Sequence, residues 1–128
     1  MIETELRNFL VPSSSAIPAI GTRLYIGNLP DVVTYPCVAM HPISQVEMPE
    51  AEIFKDRIQF SCFADNLSSA TDIALAIKTQ LKKVYGALTT SSTYTILDSY
   101  PENLIYMFDG TILKHIKILD MSITYRRT

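Results

Sequence analysis

Between Asp56 and Leu81 the apolar residues change from every second position to every third or fourth. Over Asp56 to Ala64, Ile58, Phe60 and Cys62 take one parity, and Arg57, Gln59 and Ser61 take the other. A pleated strand sends successive side chains to opposite faces, so this segment predicts a strand with one buried face. Over residues 69–85, Ala70, Ile73, Ala74, Ile77, Leu81 and Val84 recur at three- and four-residue spacing. That is the stripe of an amphipathic helix. The strand face and the helix stripe are buried together if the helix lies across a sheet. Ser69-Ala70-Thr71-Asp72 fits a capping box at the helix start, and Gly86 suits the left-handed position past its end. Lys82 and Lys83 fall in the last turn, where the helix dipole favours cations.

The rest of the chain reads as strands joined by turns, with one more helix. In residues 1–11, Ile2, Leu6 and Leu10 stand four apart and predict a short helix, ended by Pro12 and the serines Ser13, Ser14 and Ser15. Arg23 to Ile26 predicts a short strand and Gly27-Asn28-Leu29-Pro30 a turn. Tyr35 to Met40 predicts the next strand, with Pro36 at its start or on an edge and Pro42 past its end. Glu47 to Lys55 places Glu47, Glu50 and Glu52 around Pro49 and reads as a loop or a hairpin tip. Ser92 to Leu97 predicts a strand, and Ser99 to Asp109 holds Pro101 and then the apolar patch Leu104 to Phe108. Asp109-Gly110 is a hairpin-turn signal.

Thr111 to Tyr125 predicts a long final strand whose apolar parity shifts. Ile112, Ile116 and Ile118 share one parity; Leu119, Met121, Ile123 and Tyr125 share the other. A β-bulge or twist near Ile118-Leu119 would reconcile the halves. The order of elements predicts an α+β fold, a mainly antiparallel sheet with helices packed on one face, as a single domain over residues 1–128.

Composition narrows the function. Eleven Lys and Arg against 13 Asp and Glu give a net charge of −2, with no basic surplus to recommend nucleic acid as the main ligand. The pair Arg126-Arg127 reads as a solvated basic end. Charged residues make up 19% of the chain, a lean share that suits a surface partly hidden in an assembly. No apolar run approaches the ~18 residues of a membrane span, and the start MIETELRNFL lacks a signal-peptide pattern. A reducing cytoplasm is therefore expected, with Cys37 and Cys62 as free thiols serving packing.

Chemistry is thin. Cys37 and His41 are four residues apart, and in a strand that separation spans ~13 Å, too far for one zinc ion. His115, among Ile112, Lys114 and Lys117, reads as a strand surface residue. The four glycines are scattered singly and form no phosphate loop. No serine has the glycine flanks of a nucleophile, and Ser13 to Ser15 have no nearby base. Glu47, Glu50, Glu52 and Asp56 lack EF-hand order and read as a solvated acidic loop. No catalytic, cofactor or metal site is expected, so the chain reads as an interaction part and not an enzyme.

Asp56-Arg57-Ile58-Gln59-Phe60-Ser61-Cys62-Phe63-Ala64-Asp65, followed by Ala70 to Leu81, resembles the centre of the small tail-completion proteins of long-tailed phages, the tail terminators and head–tail joining proteins. Arg23-Leu24-Tyr25 and Thr34-Tyr35-Pro36-Cys37-Val38 are similar to that family's early strands. Asp109-Gly110 and Asp120-Met121-Ser122-Ile123-Thr124-Tyr125 are similar to its closing strand. The likeness runs through nearly the whole chain in order; Ile43 to Lys55 and the parity-shifted final strand match it poorly.

The resemblance implies a sheet packed by helices and assembled as a ring, usually of six copies. Such a ring caps the tail tube protein, stops its polymerisation and presents a surface to the head completion or connector protein. It implies a virion location at the tail–head junction, after assembly in the host cytoplasm. DNA would pass through the channel without specific binding. Six copies of a chain at −2 carry −12, and an acidic or neutral lumen repels phosphate. Glu47, Glu50 and Glu52 are the candidates to line it. Lys78, Lys82, Lys114 and Lys117 are expected elsewhere or paired. The segment holding Glu47, Met48, Glu50, Glu52 and Ile53 is the candidate docking or inter-subunit interface; the other reading is a mobile solvated loop. The alternative for the whole chain is a cytoplasmic α+β ligand-binding or regulatory domain with a buried pocket.

Overall fold

The computed structural model describes residues 2–11, 17, 20–49, 51–82, 86–87 and 93–127. Its elements are α1 (Ile2–Leu10), β1 (Leu24–Ile26), β2 (Cys37–Met48), β3 (Ile53–Ala64), α2 (Leu67–Lys82), β4 (Gly86–Ala87), β5 (Tyr94–Asp109) and β6 (Lys114–Arg127). The strands form one six-stranded sheet in the order β1-β2-β3-β6-β5-β4. β1 runs parallel to β2, and every other neighbouring pair is antiparallel. The fold is α+β.

Residues directly opposite in a ladder share a face. Met40 lies opposite Phe60, and Phe60 opposite Leu119. These three join Ile58, Met121 and Ile123 in one buried cluster with Ile2, Leu6 and Leu10 of α1 and Ile73, Ile77 and Leu81 of α2. Both helices therefore pack on the same face. The four-residue stripe of α1 and the mixed stripe of α2 are the sides turned to the sheet. Arg7 pins α1 to the strand end, its Nε donating to the Leu24 carbonyl at 2.7 Å and its Nη2 to the Thr22 carbonyl at 3.1 Å. At the other edge, Glu5 Oε1 accepts from the Thr93 amide at 2.8 Å.

Several boundaries differ from the sequence reading. α2 begins at Leu67 because Asn66 is the cap: its Oδ1 accepts from the Ser69 amide at 2.7 Å. Ser69 to Asp72 thus lie inside the helix. Lys83 and Val84 lie outside the described residues, and Gly86 does take a left-handed φ of 89°. Pro42 does not end β2; the strand shifts register between Pro42 and Ser44 and continues to Met48. Cys37, just after Pro36, opens it. Glu47 to Lys55 is a hairpin tip: Met48 pairs with Ile53 across a turn in which Glu52 has a φ of 52°.

The bulge expected near Ile118-Leu119 is not there. β6 pairs with β3 without interruption, Ser61 opposite Ile118 and Phe60 opposite Leu119. Ile116 and Ile118 simply sit on the face away from the helices, where Ser61 and Phe63 are their neighbours. The register shifts fall in β5 instead, between Ile96 and Asp98 and between Pro101 and Asn103. Ile112 precedes the strand. It lies in the turn that Asp109 caps, its Oδ1 accepting from the Thr111 amide at 2.9 Å.

Candidate assembly surface

Two stretches of strand have one side open. β1 covers β2 only at Val38, Ala39 and Met40, so β2 beyond Met40 has no outer partner among the described residues. β4 covers β5 only at Thr95 and Ile96, which leaves β5 from Asp98 to Asp109 in the same state. The open stretches lie on opposite sides of the sheet. An open edge offers unpaired N–H and C=O groups to another strand.

Both edges are apolar. β2 exposes Ile43, Val46 and Met48. β5 exposes five consecutive large apolar residues, Leu104, Ile105, Tyr106, Met107 and Phe108. Exposure on both parities means that this part of the β5–β6 hairpin is covered on neither face. On the face away from the helices, Ile105 and Met107 lie opposite Ile118 and Ile116, and Ile116 lies opposite Phe63. The Tyr35 ring continues the patch at 6.3 Å from Phe63. Contiguous exposed apolar surface of this kind marks an interaction site. His115 stiffens the arm: its Nδ1 is 2.9 Å from the Tyr106 hydroxyl, and its ring meets Phe108 edge-on at 5.0 Å. Lys114 pairs with Asp65.

At the other end, a cleft of about 310 Å³ opens between α1 and the sheet. Asp56 stands in its wall, 2% exposed. This corrects the reading of Asp56 as part of a solvated acidic loop: it has the buried parity of Ile58 and Phe60. Gln45 Nε2 donates to its Oδ1 at 3.0 Å and the Tyr125 hydroxyl to its Oδ2 at 3.1 Å. Burial pushes its carboxyl above the ordinary value, the Gln45 and Tyr125 hydrogen bonds pull it back, and the Glu3 charge raises it again.

A carboxyl held above its unfolded value stabilises the fold most below that value, near pH 4. The contribution is lost as pH rises through the folded value. Asp56→Asn is therefore expected to be more stable than the natural chain at pH 7, with the difference shrinking toward pH 4. Urea unfolding of both proteins across that range measures it; equal stability at both ends would mean that the carboxylate is not strained.

The sequence-predicted interface residues are partly gathered. Glu47 and Met48 end β2, Ile53 begins β3, and Glu52 lies in the turn between them; Glu50 lies outside the described residues. Glu47, Met48 and Glu52 are exposed and Ile53 is half-buried. The cysteines do not converge. Val38 lies opposite Cys62 and Cys37 opposite Phe63, so the two thiols point to opposite faces. Both are free and buried. Burial pushes Cys37 up to about 11 against the pull of Arg23, and raises Cys62 as well, so both are protonated at neutral pH. Among the described residues no three His, Cys, Asp or Glu side chains form a metal-binding group, and no helix is long and apolar enough to cross a membrane.

The cleft escaped the sequence reading because Glu3, Gln45, Asp56 and Tyr125 are far apart in the chain. One signal was present: Asp56 falls on the apolar parity of its strand. The open edges left none, since only the sheet order exposes them.

No protein-family model matches the chain, and no curated protein matches it by sequence. Among solved structures, the fold is similar to a chain of the virion of a native gene transfer agent particle, with a TM-score of 0.73 and 14% sequence identity. The match covers 94% of this chain and 90% of that one. What the two chains share at that identity is a fold, end to end.

Proposed function

We propose that this chain is a virion structural protein of the tail-terminator kind, which forms a ring over the end of a tail tube and joins it to the head connector. The observation that carries the reading is the full-length fold likeness to a virion chain, at a TM-score of 0.73. The two open edges supply a means of assembly. β2 and β5 run antiparallel to each other within the sheet, so β5 of one copy meets β2 of the next in antiparallel pairing when copies repeat around an axis. That contact is head-to-tail, and such contacts close into rings when the rotation allows. The apolar arm from Leu104 to Phe108 and the tip holding Glu47, Met48, Glu52 and Ile53 are the surfaces that meet neighbours.

In this role the protein acts without catalysis, at the tail–head junction of the virion. Its partners are five further copies of itself, the tube protein below and the connector above. DNA passes through the lumen unbound. Native mass spectrometry of the purified protein tests the reading. The expected species is a ring of about six copies, formed alone or on addition of tube ends. A tight dimer carrying a copurified metabolite, unchanged by tube ends, would sink it in favour of a ligand-binding domain.

A further inference from the structure

The cleft beside α1 shares Gln45 with the open β2 edge, but its acids, Glu3 on α1 and Asp56 on β3, lie outside the open stretches. Glu3 and Asp56 both line it, at 8% and 2% exposure. Asp56 is satisfied by Gln45 and Tyr125. Glu3, at 8% exposure, has no hydrogen-bond or ion-pair partner among the described residues, and its carboxylate opens to the cleft. Two carboxylates facing one cleft repel each other, and the Glu3 charge acts on Asp56 in that sense. One positive charge placed between them would relieve both.

The walls say which cation fits. The Phe54 and Tyr125 rings stack at 5.4 Å, and Tyr94 meets Tyr125 edge-on at 5.1 Å. Flat aromatic surface beside carboxylates suits a guanidinium, which stacks on rings and donates in a planar fork. The protein already does this once at the rim, where Arg127 lies 5.9 Å from the Phe54 ring centroid. That guanidinium is not within ion-pairing distance of Glu3 or Asp56, so the acids are left to another cation.

Of the chain's five arginines, three are engaged elsewhere, and Arg127 stands at the rim of the cleft. Arg7 is bound to the Leu24 and Thr22 carbonyls, Arg23 to the Pro36 carbonyl and Arg57 to Asp120. We propose that the cleft is a binding site for an arginine side chain of a different protein, its guanidinium held between Glu3 and Asp56 and stacked on the aromatic wall. The inference is independent of ring formation, because it concerns a site complete within one copy.

The test uses the free chain with ethylguanidinium as probe and N-ethylurea as its neutral counterpart. Side-chain NMR follows the Asp56 carboxyl and the Phe54 and Tyr94 rings. Saturable shifts are expected with ethylguanidinium, and binding at least about tenfold weaker with N-ethylurea. Glu3→Gln and Asp56→Asn should keep the native spectrum and each weaken ethylguanidinium binding about tenfold or more. No saturable shift, or equal binding of the urea, would overturn the site. Binding that appears only in Arg127→Ala would overturn it too, since the chain's own arginine would then be the occupant. Self-association weakened alike by Arg126→Ala and Glu3→Gln would show that a second copy supplies the group, against the different protein proposed. None of these readings depends on whether rings form, and a missing ring leaves the probe titration unaffected.

Discussion

Ile105→Lys with Met107→Lys should block the proposed ring assembly and leave the protomer folded. Both side chains lie on the face away from the helices, 45% and 48% exposed, on a strand with an open edge. In the separate protomer the new charges stay in water, and the stability change should remain within about 0.5 kcal/mol. In a ring each ammonium would be carried into an apolar contact beside Ile116 and Ile118. Burying an unpaired charge there costs well over 1.4 kcal/mol, and each 1.4 kcal/mol is tenfold in association. Two such changes should weaken assembly at least about a hundredfold. Lysine on an edge is also how sheets resist pairing. Sedimentation velocity reads the assembly and urea unfolding reads the protomer. Rings that persist at the natural concentration would remove the β5 edge from the interface.

Leu81→Ala should cost about 2–5 kcal/mol. Leu81 stands in the last turn of α2 at 1% exposure, within the cluster that joins Ile73 and Ile77 to Ile58, Phe60 and Leu119. Truncation removes apolar contact and leaves a hole that a close-packed interior fills only in part. Against a typical total of about 5–15 kcal/mol, that is a large share of the folding free energy. Urea denaturation gives the value. A loss below about 0.5 kcal/mol would mean that the helix turns a different side to the sheet.

The parts of the fold carried by local periodicity were readable in the chain. The stripe of Ile2, Leu6 and Leu10 gave α1, and the change of period after Ala64 gave β3 and α2. Strand ends were misread where distant pairing overrides local signals. Pro42 looks terminal in a linear chain, yet β3 holds β2 past it through a register shift. Pro101 is tolerated within β5 because that strand is open on one side and irregular beside the proline. The parity shift in β6 invited a bulge because one apolar face was assumed. Ile116 and Ile118 belong to the other face of the sheet, buried and half-buried there, beside the exposed Met107 and Ile105. The acidic-apolar character of Glu47, Met48, Glu52 and Ile53 is plain in the sequence, but their gathering at one hairpin tip depends on the β2–β3 register. The cleft was not legible, since Glu3 and Asp56 meet only after α1 folds onto the sheet.

The register shifts near Pro42 and Pro101 have a consequence for how copies gather. The unbroken ladders left for another strand are short, residues 44–48 on β2 and 103–109 on β5. One such contact yields few hydrogen bonds and must offset the lost freedom of a whole protomer. A linear string of copies wastes an edge at each end, whereas a circle wastes none and gains one extra contact on closing. In the proposed ring, short strings would therefore be scarce at every concentration. The population would pass from single copies to closed circles over a narrow range, as at a threshold. A nearby template that lowers the threshold decides where the circles appear, and the end of a tube is such a place.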